Sequence, residues 1–198
     1  MFEISIIERT KQFFKEGIEI IKNSDILIEE TLKSKYPLID IMSTFRDEYL
    51  IRKLVKFFKN ISNLSPEEKD KIIKKLQNEN VVERVIIAID RIDTEDKIYY
   101  YFKLVKMLCN KEIDTILFYR CYKILENYSY YDLIDFKSKR VYSLDNKDDV
   151  IKFSIGLLQN PSPRIGRGWE RNSLGFGLTV SEAGKVFIKL NKELEENQ

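Results

Sequence analysis

Histidine is missing from this 198-residue chain, and with it the commonest general base and the commonest metal ligand. Cysteine is nearly missing. Cys109 and Cys121 are the only two, and two thiols without a histidine do not make a structural zinc site. Both fall on apolar faces of predicted helices, where a reduced thiol serves as a small hydrophobe rather than as a disulfide or redox group. Neither a GxxxxGK[ST] loop nor a strand, GxGxxG and helix order occurs, so no nucleotide-phosphate cradle is expected. No apolar run approaches the roughly 18 to 20 residues that a membrane span requires. Acidic Glu3 and Glu8 stand where a signal peptide would be basic and then apolar. A cytoplasmic protein with no cofactor and no metal is expected. Strong charge of one sign is lacking as well: the formal balance is +2, too little for a global field that draws a protein onto nucleic acid.

What the chain has in quantity is apolar residues at helical spacing. With 43% apolar and 33% charged residues it has the make-up of a folded domain rather than a disordered segment. From Tyr49, residues Leu50, Ile51, Leu54, Val55, Phe57, Phe58 and Ile61 lay a stripe along one helix, with Arg52, Lys53, Lys56 and Lys59 on its other side. Ser65, Pro66 and Glu68 are an N-cap, a first-position proline and a capping-box glutamate. Ile72, Ile73 and Leu76 give the helix they start an apolar edge, and Asn78 to Asn80 end it. A third helix carries Val82, Val85, Ile86, Ile89 and Ile92, and its extra Ile87 and Ala88 place it at the centre of a bundle. Asp93 or Thr94 caps a fourth, with Ile98, Tyr101, Phe102, Val105, Leu108 and Cys109. Asp114 caps a fifth holding Leu117, Phe118, Cys121, Tyr122 and Leu125, and a short sixth runs from about Tyr130 to Phe136. Short connections make these antiparallel neighbours.

Ahead of this core, residues 1–45 form amphipathic helical pieces broken at Gly17 and at Asn23 to Asp25, expected to pack on the bundle. Glu16, Glu19, Glu29 and Glu30 argue against attraction to an anionic lipid surface. Beyond it, Val141, Tyr142 and Leu144 fit a short strand or turn. Asp145 caps a helix from Lys147 or Asp148 to about Gln159 with Val150, Ile151, Phe153, Ile155, Leu157 and Leu158 as its apolar positions, stopped by Pro161 and Pro163. Phe176, Leu178 and Val180 alternate as a strand, and a last helix from Ala183 to about Leu194 turns Val186, Phe187 and Leu190 inward. The expected architecture is therefore mainly α: a helical bundle core over 46–136, preceded by 1–45 and followed by a small α+β appendage over 137–198 that contains a β-hairpin.

The basic excess is local. Residues 137–171 hold eight basic and four acidic side chains, whereas 1–136 and 172–198 are each −1. Within this stretch Arg164, Arg167, Trp169 and Arg171 interleave with Gly166 and Gly168, and these four are the candidate partner-binding residues. A helix, a glycine-rich arginine hairpin, a strand through Leu178 and Thr179 and a closing helix is the order of the second half of a winged-helix domain, whose wing touches DNA phosphates and the minor groove. Asp145, Asp148 and Asp149 at the start of the would-be recognition helix run against that use. The carboxylates Asp90, Asp93, Glu95 and Asp96, interleaved with Arg91 and Lys97, read as caps and surface pairs rather than as a metal or acid–base site. The tyrosines at 99 to 101 and at 128, 130 and 131 read as a core edge or interface, because few cations accompany them.

Several of these features together resemble a loose group of helical proteins of bacterial mobile elements and prophages, among them the Abi-alpha group linked to phage abortive infection. The resemblance is carried by Arg46-Asp47 followed by Arg52-Lys53-Leu54 and Phe57, by Asp90 with Asp96-Lys97, by Phe118 and Asp132-Leu133, and by Leu178-Thr179 with Gly184 and Phe187. It implies a role in phage–host conflict without a defined reaction, and no active-site residue comes with it. The expectation is a non-enzymatic protein that binds another protein, with homo-oligomers possible. The alternatives are a winged-helix-like DNA-binding regulator and an abortive-infection effector acting at the membrane surface.

Overall fold

The computed structural model describes residues 2–23, 45–137, 142–143, 145–159 and 177–196. Among them the fold is mainly α with a small antiparallel sheet near the C-terminus. The chain divides into two compact units, residues 1–113 and 114–198.

The first unit holds α1 (Phe2–Asn23), α2 (Phe45–Ser62), α3 (Pro66–Leu76), α4 (Glu79–Arg91) and α5 (Lys97–Cys109). At its centre is α2, which packs on all four of the others. Spacing places α4 there instead, on the strength of Ile87, but Ile87 is 44% exposed. The core is largely aromatic: the Phe58 ring meets Phe14 edge-on at 5.0 Å, and Phe57 lies 5.9 Å from Tyr101 and 6.3 Å from Phe102. Gly17, expected to break the first helix, lies inside α1. A Cβ there would stand 2.5 Å from the Phe58 ring, so glycine is what lets the ring seat against the α1 backbone. Ser65 caps α3 as expected, accepting from the Glu68 amide. Asn78 caps α4, so the break expected at Asn78 to Asn80 is instead the two residues Gln77 and Asn78.

The second unit holds α6 (Thr115–Asn127), α7 (Tyr130–Ile134), β1 (Tyr142–Ser143), α8 (Lys147–Ser154), β2 (Leu158–Gln159), β3 (Gly177–Val180) and α9 (Glu182–Glu196). The sheet order is β1-β3-β2, with Tyr142 opposite Leu178 and Leu158 opposite Val180. The last helix, α9, packs on α6 and on β3. Phe187 and Leu190 are buried as spacing predicts. Its Asn191 amide donates to the carbonyls of Leu133 and Phe136 at 2.8 and 3.0 Å, which satisfies the end of α7.

Helix α8 starts at Lys147 as expected but differs in its cap and in its end. Its cap is Asn146, not Asp145, and it stops at Ser154. There Gly156 takes φ +89, and the Leu157 amide reaches back to the Lys152 carbonyl at 2.9 Å, a Schellman ending. Leu157 and Leu158 are buried beyond that stop.

Candidate interaction surface

The candidate residues Arg164, Arg167, Trp169 and Arg171 lie outside the described residues. The structure does describe the strands on either side of that stretch, β2 and β3, which pair antiparallel, with the Thr179 hydroxyl donating to the Gln159 carbonyl at 3.4 Å. Behind them, Ser181 and Gly184 form a tight corner. The Ser181 hydroxyl donates to the Gly156 carbonyl at 2.6 Å and accepts from the Gly184 amide at 3.0 Å. A Cβ on Gly184 would lie 2.3 Å from the Leu157 carbonyl oxygen. Glycine is thus required for the close approach of α9 to the chain after α8.

Of the carboxylates around the turn between α4 and α5, Asp93 and Asp96 are paired with lysines. From α2, Lys53 sends its ammonium to the carbonyls of Asp90 and Ile92 at 2.8 and 2.7 Å, and Lys56 pairs with Asp96 at 2.9 Å. Lys97 pairs with Asp93 at 2.6 Å, and the Tyr49 hydroxyl donates to the Asp93 carbonyl. Spacing puts Lys53 on the solvent side of α2; it is instead 2% exposed, with its ammonium 4.9 Å from the centre of the Tyr49 ring. A long aliphatic stem buries well when the charged head finds the carbonyls of a helix end. Neither Asp93 nor Thr94 caps α5: Asp96 holds that position and makes no capping hydrogen bond. Among the described residues, no group of three or more His, Cys, Asp or Glu is placed to hold a metal ion.

The thiols are held protonated. Burial pushes Cys121 up to about 12 and raises Cys109 above its ordinary range, against a small opposing pull from Lys75. The tyrosines divide. Tyr100 and Tyr101 are core residues, Tyr99 is half-buried beneath the Lys103 ammonium, and Tyr131 is 78% exposed. Burial, then the charges of Asp132 and Asp148, push the Tyr128 hydroxyl up to about 12.

Compared with known proteins, this chain matches no family model, no curated protein and no solved structure.

A further exposed apolar surface lies on α6 and α8. Ile116 and Tyr119 fall off the buried stripe of α6, made by Cys121, Tyr122, Ile124 and Leu125, and are 65% and 49% exposed. Val150 and Ile151, expected to face inward from α8, are 38% and 50% exposed. The residue α8 buries instead is Asp149, whose carboxylate accepts from the Ser143 amide at 3.1 Å and ties the helix to β1. For α6 the signal was available, as apolar residues left over once the inward stripe is counted. For α8 it was not, because two adjacent β-branched residues look the same whether they face in or out.

Proposed function

We propose that this chain is a non-enzymatic protein-binding module that receives its partner on the second unit. One observation carries the reading. Of the six large apolar side chains exposed among the described residues, five belong to 114–198: Ile116, Tyr119, Tyr131, Val150 and Ile151. Ile116 and Tyr119 lie one turn apart on α6, and Val150 and Ile151 are neighbours on α8; exposed apolar side chains that cluster mark interaction sites. Arg164, Arg167, Trp169 and Arg171 belong to the same unit and are of the residue types that dominate binding energy at interfaces. The pairing of the Asp93 and Asp96 carboxylates with Lys97 and Lys56 and the protonated state of both thiols favour a binding role over a catalytic one. The Abi-alpha resemblance supplies a setting, phage defence or its suppression.

The test is recovery of the tagged full chain from its native host, as wild type, as Trp169→Ala and as Ile116→Asp/Tyr119→Asp. A partner held by the wild type and lost from either variant is the expected result. Repeated recovery of the bare protein at native levels overturns the reading.

A second reading, a DNA-binding regulator, is favoured by the β1-β3-β2 order of the sheet, which a winged-helix domain shares. Against it, the 14 residues between Ser143 and Leu158 hold one helix, α8, where such a domain has two, and exposed Asp145 and Asp148 stand at its start. A salt titration with duplex DNA decides: affinity falling steeply with salt supports it, and no binding at low salt removes it.

A further inference from the structure

We infer that helix α8 is a releasable guard on an open edge of the sheet: it opens as a unit while α6 and α9 stay folded, and its release frees the backbone of Ser143 in β1. Among the described residues β1 lies at an edge of the sheet, in the order β1-β3-β2. An edge strand presents backbone donors and acceptors that a further strand could take up. At Ser143 both groups are closed by the start of α8. The Ser143 amide donates to the Asp149 carboxylate at 3.1 Å, and the Ser143 carbonyl accepts from the amide of Asn146, the cap of α8, at 3.2 Å.

Little else holds the guard. Asp149 is the one buried residue of α8; Lys152 and Phe153 are half-buried and the others are exposed. Letting go of α8 therefore gives back little apolar burial, and a helix this short has slight stability of its own. The latch itself is incomplete. Asp149 is 4% exposed, yet its Oδ1 has no hydrogen-bond donor among the described residues, and the Lys152 ammonium stands 3.9 Å away. A buried carboxylate bonded through one oxygen only is costly, and opening returns it to water. The far end of α8 is by contrast a firm pivot. At Gly156 the chain takes φ +89, the Ser181 hydroxyl donates to the Gly156 carbonyl, and the Ser181 amide donates to the Leu157 carbonyl at 3.0 Å. An element with few buried apolar contacts is the kind that opens locally within a folded protein. Val150 and Ile151 travel with α8, which links the guard to the proposed binding surface.

Residue-resolved hydrogen exchange on the full chain, followed by NMR without urea and in low urea, tests this. The Ser143 amide and the α8 amides from Val150 to Ser154 are expected to exchange together, about tenfold or more faster than the slowest amides of α6 and α9. Low urea should leave their rates unchanged, because the opening exposes little surface. Asp149→Ala, which removes the acceptor, should speed the same group by a further factor of about ten and leave α6 and α9 as they were. Ser143 and α8 amides as well protected as those of α6 and α9, or rising with urea in step with them, overturn the guard. So does an Asp149→Ala variant in which the Ser143 amide is unchanged, in which α6 and α9 lose protection too, or in which the second unit fails to fold. No partner takes part in these measurements, so the protein-binding reading stands or falls separately.

Discussion

Lys53 sits in the first unit with its ammonium out of water and bonded to two backbone oxygens at the end of α4. Lys53→Met keeps most of the stem volume and removes both donors, which leaves the Asp90 and Ile92 carbonyls short of partners. Equilibrium unfolding in urea should register a loss of roughly 2–3 kcal/mol, and an unchanged midpoint would mean that water replaces the ammonium freely. Gly184 presents the opposite problem, a place where one added carbon has nowhere to go. Gly184→Ala forces the new methyl against the Leu157 carbonyl oxygen, and a cost of about 3 kcal/mol is expected from such overpacking. Stability at or above wild type would show that α9 can shift away. Cys121 and Tyr128 set the behaviour in alkali. Both lose their protons near 12 when folded, against ordinary values of 9.0 and 10.0, so between about pH 9 and 12 the unfolded chain gives up protons that the folded chain keeps. The stabilising contribution of both groups is therefore complete below pH 9 and lost as pH climbs towards 12. Unfolding free energy measured from pH 8 to 11 should fall with rising pH, and Tyr128→Phe should flatten the part of that slope above pH 10. A slope identical to wild type would mean that Tyr128 titrates normally.

Helix starts in this chain depend on which side chain actually reaches the free amides. Asp114 takes the Leu117 amide at 2.7 Å, so Asp114→Ala should cost about 1 kcal/mol. Asp96 holds the same position on α5 with helical backbone angles, makes no capping bond and pairs with Lys56 instead. Its alanine variant should stay within about 0.5 kcal/mol of wild type, as removal of a surface ion pair does. Thermal melts of the two variants side by side make the check, and equal losses would show that Asp96 caps after all. This contrast also marks how much the sequence could reveal. Ser65 and Asp114 were legible because a cap acts on residues two or three places away, and the aromatic stripe of α2 was legible because periodicity records which side faces a core. Lys53 was not, since polarity counts place every lysine outside while its stem buries readily. Gly17 was not, since the need for it comes from a phenylalanine 41 positions further along the chain. The end of α8 was missed because Leu157 and Leu158 continue an apolar run whose period cannot separate the last turn of a helix from the first residue of a strand. Arg164, Arg167, Trp169 and Arg171 could be nominated from residue type alone. The exposed face of α8 required coordinates, because exposure there is decided by what the rest of the unit leaves uncovered.

At the scale of the molecule, each unit has its own buried aromatic anchor, Phe57 in the first and Phe187 in the second, both with no exposed surface. The units are built differently. In the first, long helices interlock around α2; in the second, strands of two, two and four residues are held between α8 and α9. A sheet so short contributes little by itself, so the second unit depends on α6 and α9, the helices that bury Phe187 and Leu190. Removing either ring leaves a cavity and costs about 3–5 kcal/mol, and the distribution of that loss is the informative measurement. By hydrogen exchange read along the chain, Phe57→Ala should release protection chiefly in α1 to α5, and Phe187→Ala chiefly in α6 and α9. If the second variant also loses the partner recovered from the native host while the first retains it, the interaction surface depends on the small unit alone. Uniform loss of protection from either substitution would mean that the chain opens as one cooperative body, and the placement of the binding surface on an independent unit would have to be abandoned.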